Sequence, residues 1–302
     1  MKAASIDIGT NSVLLLIAYK SKSKIEVLHE MQELPRLGEG VDRDKRLSDH
    51  AQKRVIEVLK SYSAYLSKHY PELVQQTIVT ATSAVRDASN KNSFLASVLS
   101  ETGWNIRLLS GDEEALTTYK GALSVLNTLP DENYVVLDIG GGSTEIASGV
   151  GLELKDGVSI DMGSVRYSER FFLNPKVDHL TANTVREAVR KNFEGITPFK
   201  HPFTAIGVAG TVTSIAALSA DLMKYDEDIL NGYSLNRDEI EKCIEQFIDL
   251  TSGEIEALNP LLLKGRGDVI LSGAIILSEF LSWCKSDSLI VSTGGIRHGM
   301  LV

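Results

Sequence analysis

The chain is short of cysteine. Only Cys243 and Cys284 occur in 302 residues, too few for a disulfide framework or a thiolate metal site. Two buried thiols in a reducing cytoplasm are the expectation. Long apolar runs are also missing: Val13–Tyr19 gives seven residues, against the roughly 20 that span a bilayer. Asp7 precedes that run and no small-residue cleavage site follows it, so it does not read as a secretory signal. Positive charge is in deficit, with 31 Lys and Arg against 40 Asp and Glu and a formal net charge of −9. A general nucleic-acid or anionic-membrane binder carries the opposite balance, so neither partner is expected. A polyanionic ligand would have to be met by local arginines and backbone amides. Gly-x₄-Gly-Lys-Ser/Thr, Gly-x-Gly-x-x-Gly and His-Glu-x-x-His do not occur, which leaves the P-loop, dinucleotide and zincin readings without support.

What is present is an ordered alternation of strand and helix signals over a length that favours two domains. Lys2–Ile8, Val13–Tyr19 and Lys24–Glu33 read as a three-stranded antiparallel meander, its first turn at Gly9-Thr10-Asn11-Ser12. A long helix follows from Ser48 to about His69, stopped by Pro71. Gln76–Ala81 reads as a buried strand, Asn90–Glu101 as a helix, Asn105–Leu109 as a strand, and Asp112–Asn127 as a helix. The opening then repeats. Strands at Tyr134–Ile139, Glu145–Gly149 and Leu152–Ile160 enclose the turn Gly140-Gly141-Gly142-Ser143. Asp138 stands 131 residues after Asp7. Helices near Thr181–Phe193, Thr211–Ser219, Arg237–Leu250 and Gly273–Cys284, strands at Phe203–Val208 and Ser288–Ser292, and a short terminal helix complete the second copy. The economical reading is two α/β units with mixed sheets flanked by helices. They are expected over residues 1–125 and 126–302, with the last helix, about 294–302, packing back on the first unit.

A strand ending in Asp, a glycine turn and a returning strand suit phosphate. Glycine lets the backbone approach a ligand with no Cβ in the way, and successive turn N–H groups can form a nest for anionic oxygens. Asp138 and Glu145 flank the second turn and are candidate ligands for a hydrated Mg²⁺ (or Mn²⁺), with Asp7 sharing the metal or holding a water. Gly9, Thr10, Asn11 and Ser12, with Gly140, Gly141, Gly142 and Ser143, are the candidate phosphate contacts. Two such hairpins at equivalent places in a duplicated fold are expected to face one cleft.

Asp7-Ile8-Gly9-Thr10-Asn11-Ser12, Asp138-Ile139-Gly140-Gly141-Gly142-Ser143-Thr144-Glu145 and Ala205-Ile206-Gly207-Val208-Ala209-Gly210-Thr211 resemble the phosphate and nucleotide motifs of the actin, sugar-kinase and Hsp70 superfamily. Within it, the chain most resembles the exopolyphosphatase/guanosine pentaphosphate phosphohydrolase (Ppx/GppA) family. The segments Pro35–Gly40, Ala81–Ala88, Ser110–Ala115 and Arg266–Ala274 carry this narrower match, so the motifs span essentially the whole chain. The resemblance implies duplicated actin-like (ribonuclease H-like) domains with an active site in the interdomain cleft. It also implies Mg²⁺-dependent removal of terminal phosphate from inorganic polyphosphate, with guanosine pentaphosphate as the alternative substrate. A kinase of the same superfamily, or an actin-like module that binds nucleotide or senses polyphosphate without hydrolysis, are the other classes.

The resemblance places the catalytic glutamate on Glu114, with Glu113 as its rival. Read from residues alone, Asp112, Glu113 and Glu114 simply complement a helix N-terminus. Arg86, after a strand and a Thr-Ser turn, is the candidate to neutralise transferring phosphate, against a surface salt bridge to Asp87 or Glu101. Gly210 and Thr211 are phosphate candidates because a glycine precedes the hydroxyl. Arg36, Arg266 and Arg297 are weaker candidates for gripping a longer polyanion, each balanced against a solvated surface charge. His298 stands where the family usually carries an acidic or other polar residue, and is read as core, cap or surface rather than ligand. Leu116 replaces a common family arginine. The chain ends at Val302, where larger members add helical domains that extend the polyanion channel and help form dimers, so processive action on long chains is not implied. A C2 homodimer is the oligomer to expect if one forms.

Overall fold

A computed structural model of the chain describes residues 1–21, 24–197, 199–200 and 202–302. The opening meander is formed by β1 (Lys2–Ile8), β2 (Val13–Lys20) and β3 (Ile25–Glu33), paired antiparallel with Asp7 opposite Leu14. β4 (Ile78–Ala81) and β5 (Ile106–Leu108) add in parallel, giving a mixed sheet of order β3-β2-β1-β4-β5. β6 (Asn133–Ile139), β7 (Thr144–Val150) and β8 (Glu153–Ile160) repeat the meander. β9 (Thr204–Val208), the short β10 (Ser234–Asn236) and β11 (Ser288–Val291) complete a second sheet, β10-β11-β9-β6-β7-β8. Apart from the edge strand β10, each sheet runs third-second-first and then two parallel additions. This is one actin-like α/β unit used twice.

The chain divides into two compact units, Met1–Ser124 with Gly294–Val302, and Val125–Thr293. In the first, the helix Asp49–His69 lays Val55, Leu59, Tyr62 and Leu66 on the sheet, on the 3.6-residue period its sequence shows. Ser48 caps it by accepting from the Ala51 N–H at 3.2 Å. In the second, the helix Ile270–Cys284 is apolar almost all round and is buried in the core with Cys243 and Cys284. Burial raises the pKa of both thiols. Among the described residues no helix is long and apolar enough to cross a membrane.

Helices Ser164–Phe171 and Ser252–Leu258 lie where the sequence carries no sustained helical signal. Eight and seven residues are too few for an apolar period to declare itself. Expected strand Gln76–Ala81 begins later, because Pro71 opens a 3₁₀ segment that runs to Gln76. The helix expected to reach Asn127 ends at Ser124.

The terminal helix Ile296–Gly299 belongs to the first unit and is tied to its sheet. Ser5 Oγ donates to the Arg297 carbonyl at 2.5 Å, and Arg297 donates to Glu30 through Nε at 2.8 Å and Nη2 at 3.2 Å. His298 is fully buried beside them, Nε2 lying 3.5 Å from Glu30 Oε1 with no hydrogen bond to either ring nitrogen. Burial, and then the neighbouring Arg297 charge, hold its pKa well below 6.5. Its folded pKa is depressed, so the unfolded chain takes up the proton first as pH falls. Stability should therefore be flat above about pH 6.5 in this respect and decline below it, by up to about 1.4 kcal/mol per pH unit. Urea unfolding from pH 7.5 to 5 should show that component in the wild type and not in His298→Asn. Parallel declines would show that His298 is not held neutral.

Candidate active site

In the first unit the acidic helix start separates two adjacent glutamates. Glu113 closes a reciprocal cap: its N–H donates to Ser110 Oγ at 3.2 Å, and its Oε2 accepts from the Ser110 N–H at 2.9 Å. Arg107 adds an ion pair at 2.6 Å. The Ser110 amide, and then Arg107, hold the Glu113 carboxyl below its ordinary pKa. Glu114 points elsewhere around the helix, is 4% exposed, and accepts from Arg86 Nη1 at 2.8 Å through Oε2. The same Nη1 donates to Leu109 O at 3.1 Å. Arg86 sits on the short helix Ser83–Asp87 after β4. The structure therefore brings the two catalytic candidates together. The alternative of a surface bridge to Glu101 gives way, since Glu101 pairs with Lys60 at 2.7 Å.

Asp7, near the end of β1, is buried at the root of the first turn. The turn closes through Gly9 N–H to Ser12 O at 2.9 Å. A segment behind it holds two of its carbonyls: Gly38 N–H donates to Thr10 O at 2.8 Å and Arg36 N–H to Asn11 O at 3.0 Å. Arg36 takes a positive φ of 55° to do so. Thr10 Oγ1 lies 3.0 Å from Ser83 Oγ, linking the turn to the helix that carries Arg86.

In the second unit Asp138 and Glu145 are directly opposite in the β6–β7 register and both are buried, Glu145 at 2% exposure. Glu145 is thus not the exposed strand residue that its position also allowed. Like charges opposite one another destabilise a sheet unless something compensates. Ser159 of β8, unforeseen from sequence, donates to Glu145 Oε1 at 2.6 Å. Its signal is only its pairing with Glu145 across strands, a register unknown beforehand. Among the described residues no group of three or more His, Cys, Asp or Glu is placed to hold a metal. Two hard carboxylates nevertheless fit Mg²⁺, which keeps several waters and commonly takes one or two protein carboxylates.

The second turn closes like the first, through Gly140 N–H to Ser143 O at 3.0 Å. The start of helix Ser164–Phe171 lies directly behind it, with the buried Arg166 donating from Nε to Gly142 O at 2.5 Å. Further along, the β9 strand enters helix Ala209–Ser219 through Ala209 at φ 71°, a strained conformation for a residue with a side chain. Thr211 is buried in its first turn, and the Arg266 guanidinium packs on Gly210 in the space a side chain would take. Burial lowers the Arg266 pKa, and that guanidinium has no ion-pair partner among the described residues. Arg266 thus joins Gly210 and Thr211, whereas Arg297 is committed to Glu30 and is not a solvated charge.

The repeated sheet order, with an Asp-rooted glycine turn in each unit, defines a duplicated actin-like fold. The model of the Ppx/GppA phosphatase family matches residues 16–302. The chain is 31% identical to exopolyphosphatase 2 of Mycobacterium tuberculosis, covering 99% of this chain and 97% of that one. It is 36% identical to a bifunctional 3-dehydroquinate synthase/phosphatase of Fusobacterium nucleatum, covering 99% of this chain but only 46% of that longer protein. The crystal structure of the Aquifex aeolicus Ppx/GppA family member superposes with a TM-score of 0.82 at 30% identity, over 100% of this chain and 96% of that one. The chain belongs to the Ppx/GppA phosphatase family, and with that membership it is a phosphoanhydride hydrolase.

The backing of the first turn is tight enough to test. A Cβ on Gly38 would stand 2.2 Å from Thr10 Cγ2. Gly38→Ala should cost about 1–3 kcal/mol in denaturant unfolding, as overpacking does. Thr10→Ser removes the obstructing methyl, so the double variant should recover most of that loss; strict additivity would contradict the packing argument.

Proposed function

We propose that the protein is an exopolyphosphatase, releasing terminal phosphate from inorganic polyphosphate with Glu114 as general base. The observation that carries this reading is the buried Asp138–Glu145 pair flanking a glycine turn, a combination suited to a divalent cation and phosphate together. Mg²⁺ held by Asp138 and Glu145, with Asp7 as a further candidate, would neutralise phosphate oxygens as charge shifts toward the leaving group. The turn residues Gly140 to Ser143, and Gly9 to Ser12, would hold phosphate oxygens through their amides. Gly210, Thr211 and Arg266 would bind further along the polyanion. Glu114, oriented by its bond to Arg86, would accept the proton of the attacking water, and the positive charge of Arg86 beside it would help neutralise the phosphoryl group. Glu113 is spent on capping and on Arg107, which favours Glu114 as the base.

Phosphate release should be measured with Mg²⁺ on tripolyphosphate, long-chain polyphosphate, guanosine pentaphosphate and ATP. Glu114→Gln should lose about 10²–10⁴ in rate while still binding substrate. Glu113→Gln should lose about 1 kcal/mol of stability or less and keep its activity. Equal losses in both variants would remove the base assignment. Release from guanosine pentaphosphate alone would replace polyphosphate as the substrate.

A further inference from the structure

The second glycine turn is held from behind by three consecutive carbonyls. Gly140 O accepts from the Ser164 N–H at 2.9 Å and Ser164 Oγ at 3.3 Å. Gly141 O accepts from the Val165 and Arg166 N–H groups at 2.9 and 3.0 Å, and Gly142 O from Arg166 Nε at 2.5 Å. In a trans peptide the C=O and N–H point in opposite directions. Fixing these three carbonyls toward the helix start therefore aims the N–H groups of Gly141, Gly142 and Ser143 away from it. None of the three donates to an acceptor among the described residues. Three successive amides on one side of a turn make an anion nest. A run of three glycines can otherwise flip its peptides at little cost, so the orientation has to be imposed by its surroundings.

The first unit uses the same device with unrelated parts. Thr10 and Asn11 occupy the turn positions of Gly141 and Gly142, and their carbonyls are held by Gly38 and Arg36. Each backing segment presents a glycine at closest approach: a Cβ on Gly38 would collide with Thr10, and one on Gly163 would stand 2.4 Å from Gly141 O. One difference matters. The Asn11 carbonyl is held by a backbone amide, whereas its counterpart on Gly142 is held by a side chain.

We infer that Arg166 is a positioning residue for phosphate binding, its guanidinium locking the Gly142 peptide so that the Ser143 amide faces the anion. Its side chain is 6% exposed and only 3.6 Å from the exposed Asp161, so it is not displayed as a surface charge for the ligand. The inference rests on the phosphate reading above, and its test is chosen to separate the two. Tripolyphosphate binding with Mg²⁺ should be titrated calorimetrically for the wild type and Arg166→Ala. Losing a hydrogen bond from a charged donor should weaken binding about 10- to 100-fold. Millimolar guanidinium should restore part of the loss by filling the vacated site, while sodium at the same ionic strength should not. An unchanged affinity, or a loss that guanidinium leaves untouched, overturns the inference. If Arg166→Ala does not fold, ¹⁵N-labelled wild type decides. On adding tripolyphosphate the amides of Gly141, Gly142 and Ser143 should shift and those of Ser164, Val165 and Arg166 hold still; the reverse pattern overturns it. A wild type that binds tripolyphosphate without releasing phosphate sinks the hydrolase reading and leaves this inference standing. A wild type that binds none of it overturns the nest and Arg166's role with it.

Discussion

Each unit's four-residue turn depends first on where its carbonyls are directed. A glycine-rich turn has no preferred orientation of its own, and its amides serve a ligand only when the opposite ends of the same peptides are engaged elsewhere. In the first unit the Pro35–Gly40 segment provides that engagement, and in the second the start of helix Ser164–Phe171 does. The helix start also disposes of its own orphan donors in the process: its first N–H groups, lacking intrahelical acceptors, are satisfied by Gly140 and Gly141. One set of hydrogen bonds thus solves two problems of unsatisfied backbone, and the amides left over are those on the open side of the turn.

The chain's acidity is the second constraint. With a net charge of −9, it cannot attract a polyanion by overall charge. What it offers instead is local: buried carboxylates suited to a cation, oriented amides and a few arginines at particular backbone positions. The arginines divide by partner. Arg86 is joined to Glu114, Arg166 holds a turn carbonyl, Arg266 packs on Gly210, and Arg297 is tied to Glu30. Adjacent residues can part company in the same way, as Glu113 does from Glu114, because a helix turns about 100° between them.

Other charge is scaffolding. In the second unit Arg186 bridges Glu241 at 2.5 Å and Glu279 at 3.1 Å, and Arg190 binds Glu279 at 2.7 and 2.9 Å. These pairs tie helices His179–Phe193, Arg237–Phe247 and Ile270–Cys284 to one another. Glu279 is almost completely buried, so its two guanidinium partners are what make its burial tolerable. Carboxylates and arginines in the sequence look alike whether they do this or meet a ligand.

Legibility followed range. The meanders, their repetition at 131 residues and the apolar face of helix Asp49–His69 were open to sequence reading, because alternation, helical period and turn chemistry act between near neighbours in the chain. The glycine turns were legible for the same reason, and so were the acids flanking them. The pairing of Arg86 with Glu114, Ser159 on Glu145, Arg166 behind Gly142 and Arg297 on Glu30 were not. Each joins residues between 14 and 267 positions apart, and each exists only once register and helix placement are settled. Read along the sequence, near neighbours alone specify two copies of a strand–turn–strand unit, each with an aspartate close before its glycine turn. Which way those turns face is settled in the folded chain alone, because the orientation of a turn peptide is set by what holds its carbonyl, and that partner comes from elsewhere in the fold.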